Sequence, residues 1–294
     1  MSNRIIIGGA QMGSSSYKQG DIDKEANVQR ILTLLEKAIK GNVKIVCFVE
    51  LCLTNFFPVL NNRDYDCYYD QLPNELTKDI FALTKEHQIS VILPYAEFDG
   101  VTYYNTAAFI SRGQLMGKYR KVHIPGSWVP EGGRWLYEKE YFTPGNMGYP
   151  VYELEEVKVG VQICYDRMFP EGYRILALKG AQLIFQPTSL SLAYAGKDVH
   201  LLSWESLLRI RAVENNMFVV GVNRAGMEND IKFAGDSLII SPIAGDILAK
   251  AETDSDELVI TEINLDDILE AKKTGPYFRD RRPGEYEILV QRES

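Results

Sequence analysis

The chain has 294 residues, of which 46% are apolar and 24% charged, a composition typical of a globular protein with a large buried core. Its formal net charge of -8 argues against a nucleic-acid partner, because binding to a phosphate backbone depends on clustered Lys and Arg. The four cysteines form no CxxC pair and the three histidines are scattered, so no segment has the ligand spacing of a metal site.

The start of the chain and its apolar runs bear on its location. The opening MSNRIIIGGAQ contains an apolar run too short for the core of a signal peptide. No later stretch approaches the roughly 18 apolar residues of a membrane span. We therefore expect a cytoplasmic protein without a membrane partner, whose thiols stay reduced.

The first elements alternate between strand and helix. Residues 5–7 predict a strand, and a helix follows a Gly/Ser-rich loop, with one apolar face made of Val28, Ile31, Leu32, Leu35 and Ile39. Gly41 and Asn42 end this helix, and the apolar run 43–49 is typical of a strand covered on both faces. Glu50 stands at the end of that strand.

The alternation of helix and strand then continues. A helix is predicted at residues 74–87, a strand at 90–95 and a hairpin of two strands over 103–119. Residues 125–150 are rich in Gly, Pro and aromatic side chains without a clear period, and we expect a long ordered loop there.

The second half continues in this way without a linker or an internal repeat. We expect helices from Pro170 and at 201–215, and strands at 159–164, 182–186, 218–222, 237–241 and 258–263. The sequence therefore predicts one α/β domain over residues 1–294, with two sheets packed together under outer helices. A C-terminal tail of about residues 272–294 is expected to contribute to a subunit interface.

Cys164 is the candidate nucleophile. It ends the predicted strand VGVQIC and precedes YDRMFPE, in which Pro170 can open a helix. A nucleophile on a strand-to-helix turn is exposed at the carboxyl edge of a sheet, where α/β proteins have their working crevice. The alternative is a small buried side chain, the role that Cys47 inside VKIVCFV is expected to have.

A catalytic thiol needs a base or a cation beside it. Glu50 at the end of an apolar strand is a candidate base, and a solvated strand-end acid is the alternative. Lys121 in GKYRKVHIPG can direct a fixed positive charge at an oxyanion, whereas most such basic clusters are solvated faces. His123 lies nearby, but a lone histidine is more often a hydrogen-bonded structural residue.

Glu50, Lys121 and Cys164 follow one another in chain order, each at a predicted strand end. The sequence segments around them, FVELCLTNFFP, YRKVHIPG and GVQICYDRMFPE, resemble the three motifs of the nitrilase superfamily of carbon–nitrogen hydrolases. The likeness extends from AQMG near the start to RDRRPGEY in the tail, and is greatest to the N-carbamoyl-D-amino acid amidohydrolase and β-ureidopropionase-like branch. Three ordered motifs are far more specific than any one of them.

The resemblance carries expectations of its own. It implies a four-layer αββα sandwich, a homodimer or larger homo-oligomer, no cofactor and a Glu-Lys-Cys triad that acts through a thioester. It also implies a second catalytic glutamate near the lysine, and Glu138 matches that position. Glu140 is the neighbour expected to be a surface charge.

Substrate-binding residues are expected around the nucleophile. Arg167 could clamp a substrate carboxylate by two parallel hydrogen bonds, and an ion pair with Asp166 or Glu171 is the alternative. The N-carbamoyl-D-amino acid branch has two consecutive arginines here, and this chain has Met168 in the second position. His123 and the aromatic residues Phe56, Phe57, Trp128 and Tyr165 are further candidates, although most aromatic residues belong to the core.

Three functions remain open from the sequence. The first is hydrolysis of N-carbamoyl amino acids, and the second is an ω-amidase or aliphatic amidase activity of the same superfamily. The third is a family member that binds a partner without catalysis. The presence of all three triad residue types counts against the third hypothesis, because a retired site usually loses at least one of them.

Overall fold

The computed structural model describes residues 3–13, 23–60, 66–126, 136–192, 202–228 and 230–291. Its strands form two six-stranded mixed sheets and one separate two-stranded ribbon.

The first sheet contains the strands that precede Glu50 and Lys121. Its strands are β1 Arg4–Gln11, β2 Ile45–Phe48, β3 Ser90–Phe98, β4 Tyr103–Ser111, β5 Gln114–Arg120 and β14 Glu257–Asn264. They lie in the order β14-β1-β2-β3-β4-β5, and β1, β2 and β3 are parallel. Because β4 is antiparallel to β3 and β5 antiparallel to β4, strands β2 and β5 end at the same edge.

The second sheet contains the strand that precedes Cys164. Its strands are β6 Tyr152–Leu154, β7 Val157–Val161, β8 Leu183–Thr188, β9 Phe218–Asn223, β12 Leu238–Ile240 and β13 Ile247–Lys250. Their order is β13-β12-β9-β8-β7-β6, with β7, β8 and β9 parallel. The ribbon pairs β10 Ala225–Glu228 with β11 Ile231–Ala234.

Helices cover the outer faces of both sheets. They are α1 Lys24–Lys40, α2 Lys78–His87, α4 Pro170–Leu178, α5 Leu207–Asn215 and α6 Asp267–Thr274, whereas α3 Glu138–Tyr141 is a single turn that packs against residues 57–59. Helix α1 begins where the Asp23 side chain accepts a hydrogen bond from the Ala26 N–H at 2.8 Å. It ends at Gly41. None of the described helices combines the length and the apolar character that crossing a bilayer requires.

The main core fills the space between the two sheets. Apolar side chains of both sheets form one cluster, which also includes the face of α1 that packs on the outer side of the first sheet. A second cluster lies between the second sheet and the helices α4 and α5, where Leu176, Trp204 and Leu208 are buried. The layers are therefore helix, sheet, sheet and helix, and the predicted αββα sandwich in a single domain is confirmed.

Several predicted boundaries are wrong. The strand expected at residues 159–164 ends at Val161, because a tight turn begins at Cys164. The expected loop 125–150 contains the short helix α3, and β6, β10, β11 and β13 were not predicted. These strands have only three or four residues, too few to show a period in the sequence. Helix α6 extends to Thr274, so the expected tail begins inside a helix.

Candidate active site

Lys121 lies between two buried glutamates. Its Nζ donates to Glu50 Oε1 at 2.9 Å and to Glu138 Oε2 at 2.6 Å. The exposed fraction of all three side chains is 1% or less. A buried ion pair needs good geometry and further hydrogen bonds to offset the loss of hydration, and here one ammonium group serves two carboxylates.

The strand ends explain why these groups meet. Glu50 follows β2 and Lys121 follows β5, and both strands end at the same edge of the first sheet. The backbone N–H of Lys121 donates to the carbonyl of Asn105 at 2.8 Å, and its own carbonyl accepts from Gly145 N–H at 2.8 Å. Glu138 opens helix α3, whereas Glu140 is exposed, as expected for a surface charge.

Each glutamate keeps one oxygen without a partner in the described part of the chain. Glu50 Oε1 accepts from Lys121 and from Asn105 Nδ2, the latter at 2.8 Å, while Glu50 Oε2 has no partner. Glu138 Oε1 is likewise buried and unpartnered. Buried polar atoms are normally satisfied, so these two oxygens are free to act on a bound molecule.

The charges around Lys121 shift its protonation and that of Glu138. Burial alone would lower the pKa of Lys121, but the carboxylates of Glu138 and Glu50 outweigh it and raise this pKa above its ordinary value. Burial raises the pKa of Glu138 to about 7, despite the opposing effect of Lys121. Lys121 is therefore a fixed cation, and Glu138 can donate or accept a proton near neutral pH.

Cys164 occupies a sharp turn at the edge of the second sheet. Its φ of 47° lies in the left-handed region, which L-residues rarely adopt. Two side chains hold its carbonyl, with Arg167 Nη1 donating at 2.8 Å and Gln186 Nε2 at 3.1 Å. Helix α4 follows at Pro170. The strand-turn-helix arrangement and the strained backbone are typical of an exposed nucleophile.

The surroundings of Cys164 keep its thiol protonated. Burial and, to a lesser degree, the Glu50 charge raise the pKa of Cys164 to about 12, although the charges of Lys121 and Arg167 oppose the shift. Arg167 Nη1 lies 3.9 Å from the sulfur. The groups predicted to form the triad thus influence one thiol, which needs a base before it can attack.

Asp166 connects the nucleophile turn to the segment that contains Lys121. Its carboxylate accepts from Tyr119 Oη at 2.6 Å, from Ile163 N–H at 3.0 Å and from His123 N–H at 2.9 Å. It also lies 2.8 Å from His123 Nδ1. The His123 ring stacks on Phe169 with 3.7 Å between centroids. The contacts of His123 therefore join the segment that follows Lys121 to the turn that contains Cys164.

The other predicted binding residues lie in different surroundings. Arg167 Nε donates to the carbonyl of Ser203 at 2.8 Å, and no ion pair joins Arg167 to Asp166 or Glu171. Phe56 is buried against Phe233 with 5.8 Å between ring centroids, and Phe57 is also buried. Tyr165 is 38% exposed, beside Phe169, whereas Trp128 lies outside the described residues.

Sequence reasoning missed Asn105, Gln186 and Arg224. Asn105 and Gln186 are fully buried polar residues inside apolar strands, and Arg224 follows such a strand. A polar side chain within an apolar strand was the available signal, because such a residue must find a buried partner.

Comparison with known proteins places the chain in a family. Residues 8–273 match the carbon–nitrogen hydrolase family. A nitrilase of Pyrococcus abyssi is 31% identical over 88% of this chain and 95% of its own length. A citrullinase of Francisella tularensis is 31% identical over 92% and 95%. An N-carbamoylputrescine amidase of Arabidopsis thaliana is 30% identical over 91% of each.

Solved structures have the same fold. A carbon–nitrogen hydrolase of Helicobacter pylori has a TM-score of 0.85 at 28% identity over 99% of both chains. Nit3 of Saccharomyces cerevisiae, a member of branch 10 of the nitrilase superfamily, has a TM-score of 0.77 at 25% identity over 95% of this chain and 97% of its own. The chain therefore belongs to the carbon–nitrogen hydrolase family of the nitrilase superfamily, and the prediction that it is an amidohydrolase of this class is confirmed.

Proposed function

We propose that this chain hydrolyses the ureido group of a small N-carbamoyl compound, with N-carbamoyl amino acids as the first candidates, through a thioester on Cys164. The observation that carries the proposal is the buried cluster in which Lys121 joins Glu50 and Glu138, whose charges act on the thiol of this cysteine. It supplies a base, a fixed cation and a proton carrier around one thiol.

The first half-reaction forms the thioester. Glu50 takes the proton of the Cys164 thiol while the sulfur attacks the ureido carbonyl carbon, which gives a tetrahedral anion. Lys121 and a backbone N–H that follows the nucleophile stabilise the anionic oxygen. A protonated glutamate then gives its proton to the departing nitrogen, ammonia leaves, and a carbamoyl thioester remains.

The second half-reaction restores the enzyme. Glu50 takes a proton from water as the oxygen attacks the thioester carbon, and the sulfur leaves and regains its proton. The carbamic acid that is released breaks down to carbon dioxide and an amine. The raised pKa of Glu138 suits it to a share of these transfers near neutral pH.

Two relatives support the ureido substrate. A citrullinase and an N-carbamoylputrescine amidase each match more than nine-tenths of the chain, and citrulline and N-carbamoylputrescine both end in a ureido group. Arg167 remains the candidate for a substrate carboxylate. Two of its nitrogens bond to carbonyls, and Nη2 has no partner among the described residues.

We also infer that the tail of about residues 272–294 contributes to an interface between copies of the chain, as a homodimer or larger homo-oligomer. Ile288, Leu289 and Val290 are 73%, 64% and 87% exposed. Three consecutive exposed apolar residues are typical of a contact surface. Sedimentation of the parent and of a triple Asp variant at these positions tests this, and equal masses would contradict it.

The substrate is tested with a panel of N-carbamoyl-D-, N-carbamoyl-L- and N-carbamoyl-β-amino acids, N-carbamoyl amines and plain amides, scored by ammonia release. We expect turnover of ureido compounds by the parent and by Cys67→Ala, the matched control at an exposed cysteine. Cys164→Ala is expected to be inactive. Turnover of plain amides alone would favour the amidase reading, and no turnover of any compound would favour the non-catalytic one.

A further inference from the structure

The loop that follows Glu50 contains a strained turn. Leu51 has a φ of 53°, in the left-handed region that a branched side chain adopts only when its surroundings impose it. Any relaxation at Leu51 would swing the adjoining Glu50, because the two residues share one peptide unit. The carboxylate could then lose its hydrogen bonds to Lys121 and Asn105.

One arginine from the other sheet holds this loop. Arg224 follows β9, and its Nη2 lies within hydrogen-bond distance of the carbonyls of Glu50, Leu51 and Thr54, at 2.9, 3.1 and 3.3 Å. Its Nε donates to Ser189 Oγ at 3.2 Å, and that hydroxyl lies 3.3 Å from the same Glu50 carbonyl. These contacts fix the backbone on both sides of the strained residue.

Glu228 completes the arrangement. Its Oε1 accepts from Arg224 Nη1 at 2.6 Å, and its Oε2 accepts from the backbone N–H of Phe56 at 3.0 Å. The two side chains are 2% and 1% exposed. The pair therefore bonds to four backbone groups of residues 50–56, with Arg224 directly after β9 in the second sheet and Glu228 at the end of β10.

We propose that Arg224 and Glu228 are positioning residues for Glu50, which lock its loop against the second sheet so that the base stays aligned with Cys164. This rests on the proposed role of Glu50 in proton transfer. Neither residue contacts the thiol in the structure, so both act through the loop. A planar guanidinium suits the task, because its three nitrogens contact the loop carbonyls, Glu228 and Ser189 at once, whereas a lysine offers a single nitrogen.

The first test compares Arg224→Lys with the parent and with Lys24→Met. Lys24 forms a part-buried ion pair with Asp70 and also donates to the backbone carbonyl of Tyr69, so the control likewise removes a cation that holds backbone. We expect Arg224→Lys to lower kcat on the order of 10- to 100-fold, as a displacement near 1 Å would do, with KM unchanged within about threefold. Lys24→Met is expected to keep the parental kcat. Equal kcat values for Arg224→Lys and parent would overturn the proposal.

A double-mutant cycle separates positioning from general loss of structure. Asn105→Ala removes the other group that orients Glu50 besides Lys121. Because both substitutions act on one carboxylate, the loss in the double variant is expected to be smaller than the product of the two single losses. Independent, multiplying losses would contradict an action of Arg224 through Glu50.

Two further variants keep the outcomes distinct. Glu228→Gln leaves Arg224 in place, and we expect a smaller fall in kcat of about threefold to tenfold. If circular dichroism shows that Arg224→Lys does not fold, the kcat of Glu228→Gln tests the positioning proposal instead. Glu50→Gln tests the proposed function itself. If Glu50→Gln is active, the proposed role of the base is wrong. If it is inactive while Arg224→Lys and Glu228→Gln match the parent, only the positioning proposal is wrong.

Discussion

Replacing Lys121 by Met tests the electrostatics of the whole site. The substitution keeps an unbranched side chain but leaves the Glu50 and Glu138 carboxylates buried without their shared cation. Breaking a buried ion pair by removing one partner costs about 3–5 kcal/mol of folding free energy when the remaining charge stays ionised. The oxyanion also loses a donor, which lowers kcat about 10²- to 10³-fold.

The cost in stability is expected to depend on pH. Burial already raises the pKa of Glu138, and without Lys121 this pKa rises further in the folded variant, because the effect of burial is no longer opposed. Groups with a raised folded pKa destabilise the protein as pH increases through the interval between the unfolded and folded values. Lys121→Met should therefore be close to the parent in stability near pH 4 to 5, and fall increasingly below it towards pH 8.

Thermal and urea unfolding at several pH values measure this effect, with kcat as a separate readout. Lys118→Met is the matched control, since Lys118 lies in β5 and bonds to Glu97, which retains Arg120 as a partner. We expect this control to lose little stability at any pH. A pH-independent loss for Lys121→Met, or a parental kcat, would refute the reasoning.

Three further predictions concern the same site. A Cβ atom at Gly145 would lie 2.1 Å from the Arg120 carbonyl oxygen. Gly145→Ala should therefore displace Lys121 and lower both Tm and kcat. Unchanged values would show that this backbone can shift freely. With its pKa raised to about 12, the Cys164 thiol of the free enzyme should react with iodoacetamide at a rate that still increases above pH 9, and a plateau near neutral pH would contradict this. Because the folded pKa of Glu138 is raised, its ionisation lowers the stability of the parent as pH increases from about 4.5 to 7. The free energy of unfolding of Glu138→Gln, measured relative to the parent in urea titrations, should therefore rise over that range.

Much of the fold could be predicted from the sequence, because long elements have a visible period. The apolar face of α1 and the apolar run of β2 gave these elements their type and approximate position. Short strands such as β10 and β13 could not be found in this way. The predicted strand before Cys164 is too long, because its apolar pattern continues towards a turn whose left-handed backbone cannot be recognised from the residue types.

The sequence by itself determined which residues are candidates, since the order of Glu50, Lys121 and Cys164 and the words around them are properties of the chain alone. Only the tertiary structure decided how their charges are paired. Lys121 meets a glutamate 71 residues away, and Arg224 meets the carbonyl of that glutamate across 174 residues. Burial and the neighbouring charges set the protonation of each group, and both depend on which distant strands end at a common edge.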